Sequence, residues 1–315
     1  MAIDRFARFC GAESSAALNP PSWSRYGRVV TADPASHARI EKAVTAVRQW
    51  ATLAGTPQTP APGSQLAGDD LVFPALPTST VTWYAITSAI DHLDLGADLL
   101  QADNVTVLRP HAFFSLTRSA LLGAAQALWV LSGSPEERAV RSLLIVEDEA
   151  ANQRRYLNAY LGDPTIEADV SNELLASMRA NVDRLSTRIR TVRAELGRRG
   201  HRGRFESTAM IKDVALHMAP GDVWLRRAVM DQWQRGSAAA HGRMWTLHFR
   251  ESEEIQLPDG GVARTFSSSV EDVAQAYGAP TLILSEALDL WEQNTRAPRA
   301  IPILITLPRR QARPN

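Results

Sequence analysis

Apolar side chains recur every three or four positions through most of this chain, which is the spacing of one face of an α-helix. Ile40, Val44, Val47 and Leu53 fall on one side of residues 36–55 and predict a short amphipathic helix. Past residue 78 the same pattern predicts long helices beginning at "STVTWYAITSAIDHLDLG", "HAFFSLTRSALLGAAQALWVLSG", "SPEERAVRSLLIVEDEAANQRRYLNAYLGD" and "VSNELLASMRANVDRLSTRIRTVRAELGRRG". The third opens on Ser134, Pro135 and Glu137, the residues of a capping box with proline in the first turn, and Gly162 stops it. The fourth carries Met178, Val182, Leu185, Ile189, Val192 and Leu196 at alternating steps of four and three. That seam predicts a long antiparallel hairpin with the helix before it. Ser79 or Thr80 is the expected cap of the first.

Later segments predict helices in "ESTAMIKDVALHMA" and "DVWLRRAVMDQWQRGSAAAHGRMW", and a last helix over "SVEDVAQAYGAPTLILSEALDLWEQNT" that bends or breaks at Gly278-Ala279-Pro280. Pro258–Gly261 is hairpin-turn chemistry between short strand-like runs near 253–267. The expected fold is therefore mainly α, a multi-helix bundle with long antiparallel helices and one small β-hairpin near the C-terminus. The expected organisation has three parts. Residues 1–78 hold an irregular segment, a short helix and a Pro-rich linker at 56–70; residues 79–297 form the bundle; residues 298–315 form a tail whose Ile301, Ile303, Ile305 and Leu307 alternate around Pro302.

Composition narrows the classes of function. Lys and Arg number 34 and so do Asp and Glu, so no global charge draws the chain to nucleic acid or membrane. Cys10 is the only cysteine, which excludes an internal disulfide and a thiolate metal site. The apolar run 120–131 is too short to span a bilayer and contains Gln126. The N-terminal residues lack a signal-peptide core, so a cytoplasmic protein is expected. His92, His111, His217 and His248 lack ligand spacing, and no Gly-rich phosphate loop is present, so no metal and no cofactor is expected.

Three stretches carry candidate chemistry. In "QRGSAAAHG", Arg235 and His241 lie about 120° apart on a helix, while Ser237 and His241 share a stripe. Gly236 and the alanines make this turn thin enough for another helix to come close. His241 as general acid or base and Arg235 as a cation facing a phosphorane-like transition state would suit RNA cleavage without metal. Glu147 or Asp148, within "VEDEA", would pair with Arg118 or polarise His241. Arg198, Arg199, Arg202 and Arg204 form a Gly-broken basic loop suited to phosphates, with Arg118 as a further phosphate contact.

The Arg-x5-His spacing, with "LTRSALLGAAQALWVL", "EERAVRSLLIVEDEAANQRRYL" and "SAAAHGRMWTL", resembles the R-x(4–6)-H motif and helical pattern of the HEPN superfamily and of actinobacterial proteins with HEPN-like bundles. The likeness spans roughly residues 80–291. It implies a helical bundle, homodimerisation and, in active members, metal-independent ribonuclease activity of the kind found in RNA-targeting toxins and defence components. Gly236 departs from it, since active members often carry a polar residue after the arginine. The competing reading is a non-catalytic helical interaction or scaffold protein in which Gly236–Gly242 is a close helix-packing contact. A small-molecule pocket lined by Trp83, Trp129, Trp233 and Trp245 is a third.

Overall fold

The computed structural model describes residues 34–102, 110–257 and 260–297. The protein is a mainly α multi-helix fold. Its helices are α1 (Pro34–Ala54), α2 (Gln65–Asp69), α3 (Thr78–Gln101), α4 (Pro110–Leu131), α5 (Pro135–Leu161), α6 (Pro164–Asp169), α7 (Asn172–Arg198), α8 (Ser207–Met218), α9 (Val223–Ala240) and α10 (Val270–Thr295). A 3-10 helix, Met244–Phe249, and two strands, β1 (Glu251–Gln256) and β2 (Val262–Ser267), lie between α9 and α10. The strands pair antiparallel, Ser252 opposite Phe266 and Gln256 opposite Val262. Pro258 and Asp259 of the expected turn, and the tail 298–315, lie outside the described residues.

Helix α4 is the hub, packed against α3, α8, α9 and α10. Its residues His111–Leu131 have the length and hydropathy of a membrane-crossing segment. They lie in the centre of the bundle instead, with Phe113, Phe114, Leu121 and Leu128 enclosed by Ile86, Ile90 and Leu93 of α3 and Tyr277 and Leu284 of α10. Gly123 sets the α3–α4 distance: a Cβ there would come within 2.7 Å of the Ala85 carbonyl oxygen. The Tyr277 hydroxyl donates to the Leu93 carbonyl at 2.8 Å, and burial pushes its ionisation well above the usual tyrosine range.

Helices α5 and α7 pair along the expected seam, in which Leu185, Ile189, Val192 and Leu196 are buried. The outer half is thin. From Asn172 to Arg184 only Leu175 is buried, and no residue from Asn152 to Leu161 is. The pair therefore forms an arm anchored at its base by Val192, Leu196, Val130 and Leu144.

The Ser134 hydroxyl accepts from Glu137 N–H while the Glu137 carboxylate accepts from Ser134 N–H, completing the capping box of α5. Hydrogen bonds from the Ser134 backbone, then from its side chain, hold the Glu137 carboxyl below its usual range. A depressed carboxylate stabilises the fold above its unfolded pKa and loses that contribution as pH falls through the folded value. Ser134→Ala is thus expected to cost about 1 kcal/mol at neutral pH. The difference from wild type should shrink in acid, as read by urea unfolding at the two pH values.

Four sequence expectations need correction. The Pro/Gly-rich stretch 56–70 is not a bare linker: Leu66 is fully buried, and Asp69 meets Arg138 of α5 at 2.5 Å with both side chains enclosed. One buried leucine and one buried ion pair dock a segment whose composition has no periodic signal. Helix α3 begins at Thr78 rather than behind a Ser79 or Thr80 cap, because the Asp70 carboxylate accepts from Ser79 N–H at 2.8 Å and from its hydroxyl at 2.7 Å. Helix α10 runs unbroken through Pro280, which is buried among its neighbours, so tertiary packing holds the helix together despite the lost amide. Helix α9 stops at Ala240, before His241.

Candidate functional site

The end of α9 is set by glycine. Gly242 adopts φ +62°, its N–H donates to the Ala239 carbonyl at 3.1 Å, and Arg243 N–H donates to Ala238 at 2.8 Å. Together these bonds form a Schellman stop. His241 is the C-cap and is exposed, beyond the last helical turn. The expected stripe of Ser237 and His241 does not exist: Ser237 is half-buried within α9, whereas His241 is exposed past its end, with Trp233 buried one turn before Ser237 and Met244 77% exposed beyond His241.

Arg235 faces the opposite environment. Its side chain is 9% exposed, and its guanidinium meets Asp272 of α10 at 2.8 Å and Asp231 of its own helix at 3.5 Å. Asp272 sits in the first turn of α10, where Ser269 caps the helix, so the helix dipole favours its charge. The pair clasps the two ends of the excursion formed by the 3-10 helix and the strands. Arg235 also lies over the Phe114 ring at 5.2 Å, and Arg250 lies over the same ring at 5.0 Å. Arg250 is buried and donates to Ser268 Oγ at 2.6 Å, while its Nε has no hydrogen-bond partner. Burial, followed by the charge of Arg235, lowers the Arg250 pKa. Asp272 is thus the main counter-charge for two guanidiniums that pack on one aromatic ring.

Gly236 is the thin point. A Cβ there would lie 2.7 Å from Arg118 Cβ and 3.0 Å from the Phe114 carbonyl oxygen of α4. Ala238 and Ala239 are buried on the same helix, whereas Ala240 is exposed. Arg118 does not meet Glu147. It stacks on Trp233 at 4.3 Å, its Nε is buried without a hydrogen-bond partner, and burial lowers its pKa. Glu147 is buried on α5 and paired with Arg193 of α7 at 2.6 Å, so it serves the α5–α7 seam rather than His241.

The basic loop is largely neutralised at its helix end. Glu195 binds both Arg198 and Arg199, the latter at 2.8 Å, and Arg199 also meets Glu136 at 2.5 Å. Those bonds hold the Glu195 carboxyl below its usual range, Arg198 first. Gly200, at φ +72°, makes the same glycine stop seen at Gly242: its N–H donates to Gly197, and His201 N–H donates to Leu196. Arg202 and Arg204 are exposed. The four tryptophans do not converge. Trp83 packs tilted against Trp291 and Trp129 against Phe205, Trp245 meets Phe249 edge to face, and Trp233 receives Arg118.

Sequence reasoning missed Asp272, Arg250 and Phe114. Ser269 three residues before Asp272 signals a helix start, and Asp231 one turn before Arg235 signals a local ion pair. Neither signal reveals that α10 turns Asp272 onto α9. Among the described residues no cluster of His, Cys, Asp or Glu is arranged to hold a metal. Comparison of the chain with protein-family models, with curated proteins and with solved structures finds no match.

Proposed function

We propose that this chain is a non-catalytic helical interaction protein, in which Arg235 and Gly236 hold the bundle together and the α5–α7 arm offers the surface for a protein partner. The observation that carries this reading is the division of the Arg-x5-His pair. Arg235 is taken up by Asp272 inside the bundle, and His241 stands outside, past the end of the helix. Chemistry on a phosphodiester would require the buried Arg235 to leave its partly buried partner Asp272, which costs more than breaking an exposed ion pair would. The arm supports the second half of the reading. Tyr156 and Tyr160 make an edge-to-face pair at 5.1 Å near its tip, and Leu174 is 53% exposed. Exposed tyrosine, with Arg155 and Arg179 on the same two helices, is the composition of energetically important interface residues.

The test is an RNA-cleavage assay in chelator with wild-type protein and His241→Ala. No cleavage by either protein, and unchanged thermal unfolding of His241→Ala, are the expected results. Cleavage by the wild type that disappears in a folded His241→Ala protein would replace this reading with the ribonuclease that the HEPN resemblance implies.

A further inference from the structure

The α5–α7 arm has two unlike faces. On one of them Glu147 of α5 pairs with Arg193 of α7 at 2.6 Å, and the Arg154 guanidinium donates to Ser186 Oγ of α7 at 3.5 Å. Both contacts fit one antiparallel register, which sets Tyr156 level with Arg184 and Tyr160 level with Ala180. At 3.6 residues per turn, Tyr156 and Tyr160 lie on the other side of α5 from Glu147 and Arg154. Glu173, Leu174, Arg184 and Arg188 lie on the other side of α7 from Ser186 and Arg193. Two antiparallel helices turn these sides the same way, so the side chains share the second face.

That face is open. Tyr156, Tyr160, Glu173, Leu174 and Arg184 are exposed, and Arg188 is half-buried. Among the described residues no ion pair reaches Glu173, Arg184 or Arg188, whereas nearer the base Glu195 takes up Arg198 and Arg199. The two tyrosines meet edge to face at 5.1 Å. Charge is ordered along the face. Measured along α7 from the level of Tyr160, Glu173 lies about 10 Å toward the tip, and the midpoint of Arg184 and Arg188 about 9 Å toward the base. Acid and base at matching distances on either side of an aromatic centre are complementary to the same face turned end over end.

We infer that the α5–α7 arm pairs with the arm of a second copy of this chain, antiparallel, about a twofold axis at Tyr160. Glu173 of each copy then meets Arg184 and Arg188 of the other, and Leu174 of each packs on the tyrosine pair of the other. Glu149, which is exposed and level with Thr191, falls beyond the overlap. The overlap is about 22 Å long. That is small for a specific interface, so a micromolar dissociation constant is expected. The face lies on other helices than the Arg-x5-His segment. Nucleic acid is the poorer occupant: Glu149 and Glu173 bound the basic stretch, and edge-to-face tyrosines offer no parallel platform for bases.

Sedimentation velocity of the full chain under reducing conditions, over roughly 1–200 μM, brackets such an affinity. The wild type should pass from monomer to dimer, and Tyr160→Ala should weaken the dimer about tenfold. Two charge-reversed copies give the deciding result. Arg184→Glu with Arg188→Glu sets acid against Glu173, and Glu173→Arg sets base against Arg184 and Arg188, so each copy alone should stay monomeric. Mixed in equal amounts, with one copy labelled, they regain opposite charges at both ends and should form a heterodimer close to wild-type strength. A misfolded copy could not be rescued by mixing. A monomeric wild type overturns the pairing and leaves the arm to a different protein. So does a reversed copy that dimerises as the wild type does, which would place the contact elsewhere, or a mixture that stays monomeric. The pairing rests on the arm being the protein-binding surface proposed for it, and not on the absence of RNA cleavage. A protein that cleaves RNA while its reversed copies pair only with each other would lose the non-catalytic reading and keep this interface.

Discussion

Arg235→Ala is expected to destabilise the protein by about 3 kcal/mol, because it leaves the partly buried Asp272 carboxylate without its main counter-charge. For a domain of this size that corresponds to a fall in Tm on the order of 5 °C. The loss is electrostatic rather than volumetric. Arg235→Met together with Asp272→Leu should therefore recover much of it, since an apolar pair of similar size is often as stable as a buried ion pair. Urea unfolding of the single and paired variants measures both effects. An Arg235→Ala protein as stable as wild type would mean that the clasp between α9 and α10 does not hold the 3-10 helix and strands in place.

Gly236→Leu should be comparably damaging for a different reason. The Cβ alone would lie 2.7 Å from Arg118 Cβ and 3.0 Å from the Phe114 carbonyl, and neither atom is the free end of a flexible chain. Overpacking of a close helix crossing costs about 1–3 kcal/mol, and the leucine adds further atoms beyond the Cβ. The smaller substitution Gly236→Ala gives a sharper test, because two effects oppose. Alanine in place of helical glycine gains up to about 1 kcal/mol in propensity. Gly197, in the last turn of α7, has nothing within 4 Å of the place a Cβ would take, so Gly197→Ala is expected to stabilise. Gly236→Ala is expected to destabilise, and thermal unfolding of the two variants should shift Tm in opposite directions. A shift of the same sign in both would remove the packing role of Gly236.

What can be read from the chain follows the range of the interaction responsible. The capping box at Ser134–Glu137 is legible because its partners lie within one turn of each other. The α7 seam is legible because Leu185, Ile189, Val192 and Leu196 repeat along one face. The stop at Gly242 is also local. It is hidden in the pattern because "SAAAHGRMW" stays apolar enough for a helix to continue, which puts Ser237 and His241 on a stripe that the structure breaks. Leu66 and Asp69 escape a periodic reading because a five-residue helix has no period to detect. The Arg235–Asp272 pair spans 37 positions, and the Arg138–Asp69 pair spans 69. Nothing in local spacing specifies either. The thinness of the 234–242 segment is visible in its composition, but which atoms of α4 fill the space, Arg118 Cβ and the Phe114 carbonyl, depends on how the helices cross.

The most direct measurement is a double-mutant cycle on Arg235 and Asp272, using alanine at each position and at both, read by equilibrium urea unfolding. A structural clasp predicts a coupling energy of about 1.5 kcal/mol or more, with the double variant well short of the summed losses of the two singles. A coupling near zero, with each single variant unfolding like wild type, would contradict it and return Arg235 to the role of a free cation beside His241.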